Sequence, residues 1–112
     1  MHELSLCSSI YSIVDRAARG RPVSTIHLQV GALRQVVPET LVYCWGLVSA
    51  DTPLAGSELA VESVPLHVAC HECGTSSAVT DGMVRCPACG AGKVEVTTGE
   101  EFMVTSLELR EA

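Results

Sequence analysis

The chain has 112 residues, 47% of them apolar and 18% charged, with a formal net charge of −6. No stretch approaches the roughly 20 apolar residues that cross a bilayer, and a single lysine in an acidic chain argues against a nucleic-acid surface, which relies on clustered Lys and Arg. The length suits one compact domain plus a small module. We therefore expect a soluble, cytoplasmic protein with no membrane or nucleic-acid partner.

The first three residues, Met1, His2 and Glu3, offer an unusual set of metal donors. With a free amino terminus, the Met1 amine, the deprotonated His2 amide and the His2 imidazole Nδ1 would form fused chelate rings in one plane. Planar nitrogen coordination favours Ni(II) or Cu(II), whereas zinc prefers tetrahedral sites. A histidine at position 2 leaves one place open, for Glu3 or another donor. The alternative is that this histidine lies in a frayed terminus by chance.

The first predicted helix covers 4–19, where apolar residues recur at spacings of three and four. Glu3 at its start and Arg16 near its end suit the helix dipole. Gly20 and Pro22 should end it. The predicted apolar face consists of Leu6, Ile10, Ile13, Val14 and Ala17.

The second predicted helix opens at Pro38 and Glu39, since proline fits a first helical turn and glutamate complements the dipole there. Its core-facing residues should be Leu41, Trp45 and Val48. Cys44 on this helix and Cys7 on the first lack a partner at ligand spacing. Both are predicted to be small buried apolar residues.

Three segments with alternating apolar residues, 24–30, 58–66 and 102–109, read as strands. The first should bury Ile26, Leu28 and Val30 and leave His27 facing solvent; the last should place Met103, Leu107 and Leu109 on one side. The order of elements predicts an α+β fold: a three-stranded sheet with two helices, plus a zinc-ribbon-like module inserted before the last strand. The expected domains are 1–66 with 99–112, and 67–98.

The predicted module carries two Cys-x-x-Cys pairs, Cys70/Cys73 and Cys86/Cys89, separated by twelve residues. This spacing is typical of a four-thiolate zinc site, which leaves no open position for water or substrate and is therefore structural. A module this short needs such support. Disulfides are the competing reading, but no secretory signal pattern supports an oxidising compartment.

Glycines and histidines near the cysteines carry two further predictions. Gly74 and Gly90 each follow a pair, where a turn would favour positive φ. His67 and His71 flank Cys70 closely enough to replace a cysteine ligand. With four thiolates available, neither histidine is expected to bind zinc constitutively.

Taken together, these features resemble the HypA/HybF family of hydrogenase nickel-incorporation proteins. The resemblance spans the whole chain and rests on Met1-His2-Glu3-Leu4, Gly31, Pro38-Glu39-x-Leu41, the two cysteine pairs with Pro87 and Gly90, and Gly99-x-x-Phe102. It implies a nickel metallochaperone for [NiFe]-hydrogenase, and in some organisms for urease. Nickel as transient cargo would bind Met1, His2 and Glu3, while structural zinc would bind the four cysteines.

The resemblance also implies partners, namely the GTPase HypB and the hydrogenase large subunit, and a non-enzymatic role. The chain could act as a monomer or a homodimer. Two rival functions stay open from the residues alone. One is a zinc-ribbon module that binds protein or nucleic acid, and the other is a small metal-dependent hydrolase, although no catalytic constellation supports it.

Overall fold

The computed structural model describes residues 2–110, without the side chain of His2. The elements of this part of the chain are α1 (His2–Ala18), β1 (Val23–Gly31), a 3-10 helix (Ala32–Arg34), α2 (Pro38–Ser49), β2 (Glu58–Val64), β3 (Leu66–Cys70), β4 (Ser76–Val79), β5 (Val94–Thr98) and β6 (Phe102–Leu109). The strands form two three-stranded sheets, ordered β2-β1-β6 and β4-β3-β5. The predicted α+β fold with two helices, a three-stranded sheet and an added module is confirmed. Among residues 2–110, no helix is long and apolar enough to span a bilayer.

The chain divides into two compact units. We call Met1–Gln29, Val36–Glu62 and Met103–Ala112 the helical unit, and Val30–Gln35 with Ser63–Phe102 the cysteine unit. Compared with the boundaries expected from the sequence, the cysteine unit also takes in 30–35, 63–66 and 99–102. Backbone hydrogen bonds explain part of this difference, because the amides of Gly31 and Leu33 donate to the carbonyls of Glu101 and Gly99.

In the helical unit, α1 and α2 pack side by side and run parallel. The Cys7 thiol donates to the Leu41 carbonyl at 3.4 Å, and the Tyr11 and Trp45 ring centroids lie 6.3 Å apart. Because residue numbers on both helices increase together at these contacts, the helices point the same way. The first turns of α1 and α2 therefore lie at the same end of the pair.

The buried face of α1 differs from the predicted one. Ile13 is 48% exposed and Ala17 is exposed, whereas the buried stripe consists of Cys7, Ile10, Val14 and Ala18. The helical period was correct, but the apolar stripe includes the small residues Cys7 and Ala18 at its two ends. On α2, Leu41, Cys44 and Trp45 are buried as predicted, and Val48 is half-buried.

Both β1 and β6 form where the sequence predicted strands, although the side of β6 that carries Met103, Leu107 and Leu109 is mostly exposed. Ile26, Leu28 and Val30 are buried as expected. On β6, Met103 is 51% and Leu109 40% exposed, and only Leu107 of the predicted face is half-buried. The alternation breaks in the middle of the strand, where two successive residues, Thr105 and Ser106, are both exposed.

The cysteine unit has a small core around its central strand β3. Leu66 and Val68 of β3 pack with Val79 of β4, and the half-buried Leu33, Val94 and Val96 surround them. β3 pairs antiparallel with both β4 and β5. The segment predicted as one strand over 58–66 is divided, because β2 ends at Val64 and β3 begins at Leu66.

Two glycines bring backbone segments of the cysteine unit together. A Cβ at Gly31 would lie 2.1 Å from the Gly99 carbonyl carbon, and a Cβ at Gly99 would lie 2.9 Å from the Leu66 Cα. Gly99 also has φ of +116°, which L side chains rarely adopt. Any side chain at either position would force the backbone apart.

Candidate metal sites

The four predicted zinc ligands meet in one cluster. The Sγ atoms of Cys70, Cys73, Cys86 and Cys89 all lie within 4.8 Å of one another. The Cys70–Cys89 and Cys73–Cys86 sulfur pairs are 3.6 and 3.7 Å apart. A tetrahedral ion with Zn–S bonds of about 2.3 Å requires sulfurs about 3.8 Å apart. The thiols therefore fit a tetrahedral metal, and their distances are far from the roughly 2.0 Å of a disulfide.

Each cysteine pair lies on a tight turn of the same construction. In the first, the Gly74 amide donates to the Cys70 carbonyl at 3.1 Å; in the second, the Gly90 amide donates to the Cys86 carbonyl at 2.8 Å. Gly74 and Gly90 have φ of +75° and +79°, so the expectation of positive φ at both positions is confirmed. In each turn these contacts place the two sulfurs of a pair on the same side of the chain, where both can bind one ion.

In the first turn, two backbone amides also donate hydrogen bonds to a cysteine sulfur. The backbone N–H groups of Glu72 and Cys73 both donate to Cys70 Sγ at 3.4 Å. Such hydrogen bonds would stabilise the negative charge that a metal-bound sulfur retains.

Without a cation, the clustered thiols affect one another's ionisation in opposite directions. Hydrogen bonding by Thr75, with smaller contributions from neighbouring thiols, lowers the pKa of Cys73 to about 6. The Ala91 backbone amide acts to lower the pKa of Cys89, but hydrogen bonds with Cys70 and Cys86 outweigh it and raise that pKa to about 12. Closely spaced thiols cannot all ionise alone, and a bound divalent cation removes this conflict.

The histidines near the cysteines are not part of the cluster. His71 is exposed, and its Nε2 lies 3.9 Å from Glu95 Oε1. His67 lies half-buried on β3, and its carbonyl accepts a hydrogen bond from Thr97 Oγ1. On the other sheet, His27 pairs with the Glu108 carboxylate on a partly exposed surface. For residues 2–110, the four cysteines alone form the cluster of candidate metal-binding side chains.

The predicted nickel site lies largely outside the described residues, which exclude Met1 and the His2 side chain. What the structure does describe is the helix beneath it. The α1 helix begins at His2, with Glu3 half-buried in its first turn. The first four N–H groups of a helix have no intrahelical acceptor. The His2 amide can therefore bind a metal without breaking a helical hydrogen bond.

The parallel packing brings a second carboxylate to this end of the helical unit. Glu39 is exposed in the first turn of α2, and the half-buried Glu3 lies in the first turn of α1. Two carboxylates at the positive ends of two helix dipoles offset a field that would otherwise repel a cation. The sequence predicted both helix starts but gave no reason to place them together.

Two contacts of the cysteine unit were missing from the sequence analysis. Thr75 influences Cys73 although it belongs to neither cysteine pair, and only its position two residues after Cys73 hinted at this role. The close approach of Gly31 and Gly99 joins residues 68 positions apart, for which the sequence contains no local signal.

Comparison with known proteins agrees with this combination of fold and cysteine cluster. Residues 1–109 match the family model described as "Hydrogenase/urease nickel incorporation, metallochaperone, hypA". Similar proteins named hydrogenase maturation factor HypA include one from Desulfosudis oleivorans, 36% identical over 99% of this chain and 100% of its own. Another, from Roseiflexus sp., is 39% identical over 96% of this chain and 91% of its own.

Two solved structures share the fold. The solution structure of the nickel metallochaperone HypA from Helicobacter pylori superimposes with a TM-score of 0.68 at 18% identity, covering 97% of both chains. A second solution structure of HypA protein gives a TM-score of 0.69 at 19% identity, covering 98% of this chain and 97% of the other. At such identities the likeness establishes the fold alone.

The fold and the cysteine cluster together define an α+β protein with a candidate four-thiolate metal site. The full-length family match and the relatives above 30% identity make the assignment specific. The chain belongs to the HypA family of hydrogenase/urease nickel-incorporation metallochaperones.

Proposed function

We propose that this protein binds Ni(II) as transient cargo at its amino terminus and delivers it during maturation of [NiFe]-hydrogenase. The observation that carries the proposal is the family match over residues 1–109, together with relatives named hydrogenase maturation factors. The proposed donors are the Met1 amine, the His2 amide and imidazole, and the Glu3 carboxylate.

The chemistry of these donors suits a carrier. Binding displaces one proton from the ammonium of Met1 and one from the His2 amide, and both protons pass to solvent. The resulting planar nitrogen set prefers Ni(II) to zinc. Because Glu3 is a weaker, exchangeable donor, an acceptor's ligand can take its place and begin the transfer.

We also propose that Cys70, Cys73, Cys86 and Cys89 bind a structural Zn(II). Their sulfur spacing and the two tight turns support this role. Four thiolates complete a tetrahedral ion and leave no vacancy for substrate. The ion would thus stabilise the cysteine unit, and the protein would have no enzymatic activity of its own.

The proposed partners are the GTPase HypB and the hydrogenase large subunit, with urease as a further possible recipient. Delivery would proceed by ligand exchange within a complex of this protein and the acceptor. Because the square-planar chelate can open at one position, the acceptor's ligands can replace the nickel donors one at a time. We propose that delivery takes place in the cytoplasm, where this protein would encounter hydrogenase subunits before they assemble.

The decisive experiment titrates zinc-loaded protein with Ni(II) and follows the visible absorption of a planar nitrogen complex. Two proteins are compared, one with a free Met1 amine and one in which that amine is acetylated. We expect acetylation to abolish the absorption band and weaken nickel binding at least about tenfold, because the acetylated Met1 nitrogen is a secondary amide and no longer a free amine. His2→Ala should have the same effect.

His71→Ala is the matched control, since His71 is an exposed histidine next to a proposed zinc ligand. It should leave the nickel band unchanged. If native and acetylated proteins bind nickel alike, the N-terminal site is wrong. If His2→Ala changes nothing in metal binding, an interaction module of the zinc-ribbon type becomes the better reading.

A further inference from the structure

Three arginines line one open depression at the carboxyl end of α1. The depression has a volume of about 560 Å³, and its lining consists of Ile13, Arg16, Ala17, Arg19 and Arg21. The whole chain has only seven lysines and arginines against thirteen acidic residues. Among residues 2–110, no acidic side chain belongs to this lining. The depression is therefore a concentrated positive site on a protein whose net charge is −6.

The end of the helix explains only one of the three arginines. Arg21 donates from Nε to the Ala18 carbonyl at 2.8 Å and from Nη2 to the Ala17 carbonyl at 3.1 Å. The last carbonyls of a helix lack an intrahelical donor, so Arg21 serves as a C-terminal cap. Within the described part of the chain, the ion pairs include neither Arg16 nor Arg19. Both side chains are exposed and accessible to an anion from outside the chain.

The acidic residue nearest in the chain lies on another side of α1. Ile13, Arg16 and Ala17 are spaced by three and four residues, which places them on one face of the helix. Asp15 is two residues from both Ile13 and Ala17, and residues two apart do not face each other. Its carboxylate therefore does not cancel the positive charge of the depression.

The backbone adopts an uncommon conformation where it presents Arg19. The φ of this residue is +53°, in the left-handed region that residues other than glycine seldom adopt, and Gly20 follows with φ of +79°. Glycine or asparagine would adopt this conformation at lower cost. The turn alone therefore gives no reason for an arginine at this position, and the chemistry of its side chain does.

The lining suits a carboxylate-bearing peptide better than other anions. Guanidinium groups bind carboxylates through two parallel hydrogen bonds. Ile13 is 48% exposed beside Ala17, and this apolar surface can contact a peptide side chain but gains nothing from an inorganic anion. Phosphate groups are commonly held by the free N–H groups of a helix amino end, whereas this is a carboxyl end. Within residues 2–110, the lining also has no aromatic ring on which a nucleobase could stack.

We propose that this depression docks a short acidic segment of a partner protein, whose carboxylates pair with Arg16 and Arg19 and whose apolar side chain covers Ile13. The segment is short because the rest of the acidic surface repels an extended polyanion. The seventeen residues of α1 span about 25 Å. A docked segment thus lies at the opposite end of α1 from the proposed nickel donors and leaves them uncovered. The proposal does not depend on nickel binding.

The test follows the arginine Nε–Hε and isoleucine methyl signals of the isotope-labelled, zinc-loaded full chain by NMR. The probe is the acetylated and amidated peptide Glu-Glu-Leu-Glu-Glu, added up to about 1 mM, a range that detects weak binding. The signals of Arg16, Arg19 and Ile13 should shift in a saturable way. Raising the salt concentration should weaken binding, since exposed charges are screened. A peptide with glutamine in place of glutamate should bind at least about tenfold more weakly.

Two variants locate the site. Arg16→Glu should weaken binding of the acidic peptide at least about tenfold, because it places a carboxylate against the carboxylates of the peptide. Lys93→Glu is the matched control, since it makes the same change of charge at an exposed residue of the cysteine unit. It should bind the peptide nearly as well as the wild type.

Arg19→Asn separates a docking role from a structural one. Asparagine tolerates the left-handed conformation, so the melting temperature should stay the same or rise. Binding of the acidic peptide should nevertheless weaken about threefold or more, because one guanidinium is lost. A lower melting temperature with unchanged peptide binding would show that Arg19 serves the fold alone.

Four further results would overturn the proposal. The first is an absence of signal shifts at the highest peptide concentration. The second is equal binding of the glutamine peptide, which would exclude recognition of carboxylates. The third is an equal loss of binding in Lys93→Glu and Arg16→Glu, which would mean that net charge alone matters. The fourth is tighter binding of inorganic phosphate or a single-stranded oligonucleotide at the same arginines, which would assign the site to a different class of anion.

Discussion

The helical unit and the cysteine unit keep their shapes by different means. Most of the largest fully buried side chains belong to the helical unit, among them Trp45, Ile10, Ile26, Leu28 and Leu41. The buried apolar cluster of the cysteine unit contains Leu66, Val68 and Val79. A small cluster of this kind cannot offset the entropy of ordering its chain, and the metal proposed for the four cysteines would supply the missing free energy. Apolar burial thus stabilises the helical unit, whereas metal ligation would stabilise the cysteine unit.

The largest expected effect comes from breaking the metal cluster. Cys86→Ser replaces a sulfur that is only 1% exposed, and structural zinc contributes about 10–16 kcal/mol in small modules. We expect backbone amides of the cysteine unit to lose protection in hydrogen-exchange mass spectrometry while those of α1 and α2 keep theirs. Ser76→Ala, an exposed change on β4, is the control. Loss of protection in both units together would contradict the difference between them.

The second prediction concerns the helical unit and removes its largest buried apolar side chain. Trp45 is 2% exposed, and its Nε1 donates to Ser57 Oγ at 3.1 Å. Trp45→Ala should cost about 3–5 kcal/mol of unfolding free energy through the cavity it leaves. Urea unfolding followed by circular dichroism measures this, with exposed Tyr43→Ala as control at low micromolar concentration. Unchanged stability, or a loss confined to the cysteine unit, would refute the assignment of the core.

A third prediction concerns backbone packing in the cysteine unit. Gly99→Ala would place a Cβ 2.9 Å from the Leu66 Cα at φ of +116°, and we expect a loss of about 2–4 kcal/mol. Gly92→Ala is the matched control, because a Cβ there meets nothing within 4 Å and its φ is not positive. Hydrogen exchange of the β3 and β5 amides reports the difference. Equal effects of the two substitutions would mean that the close approach is not tight.

The smallest effect is a pH dependence of the helical unit. Burial, with the nearby Cys44 and Glu3, raises the pKa of Cys7 from 9.0 to about 11. The folded state therefore holds its proton more tightly than the unfolded chain does. This stabilisation is fully present below pH 9 and is lost as the pH rises towards 11.

Urea unfolding followed by Trp45 fluorescence between pH 8 and 11 tests this dependence, since Trp45 is the only tryptophan. In Cys7→Ala the decline of unfolding free energy over that interval should be shallower than in the wild type. Parallel declines in the two proteins would show that other groups cause the alkaline loss.

The sequence predicted best where a local pattern has one physical solution. Alternation over 24–30 placed Ile26, Leu28 and Val30 in the core, and the cysteine spacing identified the sulfurs that the fold brings together. It failed where several positions were equally apolar. Ile13 and Met103 look like core residues in the sequence, yet both are exposed. On the helix, small residues belong to the buried face, and on the strand the alternation is interrupted.

The sequence by itself determined the order of the helices and the cysteine module and the cysteine pairs with their turn glycines, and it is the source of the proposed donors at the amino terminus, because these depend on neighbours in the chain. Tertiary structure alone decided that α1 and α2 run parallel, that Gly31 meets Gly99, and that one face of α2 is left uncovered. Each of these is a contact, or a missing contact, between distant segments. Such contacts depend on how whole surfaces pack, and local propensity does not encode that.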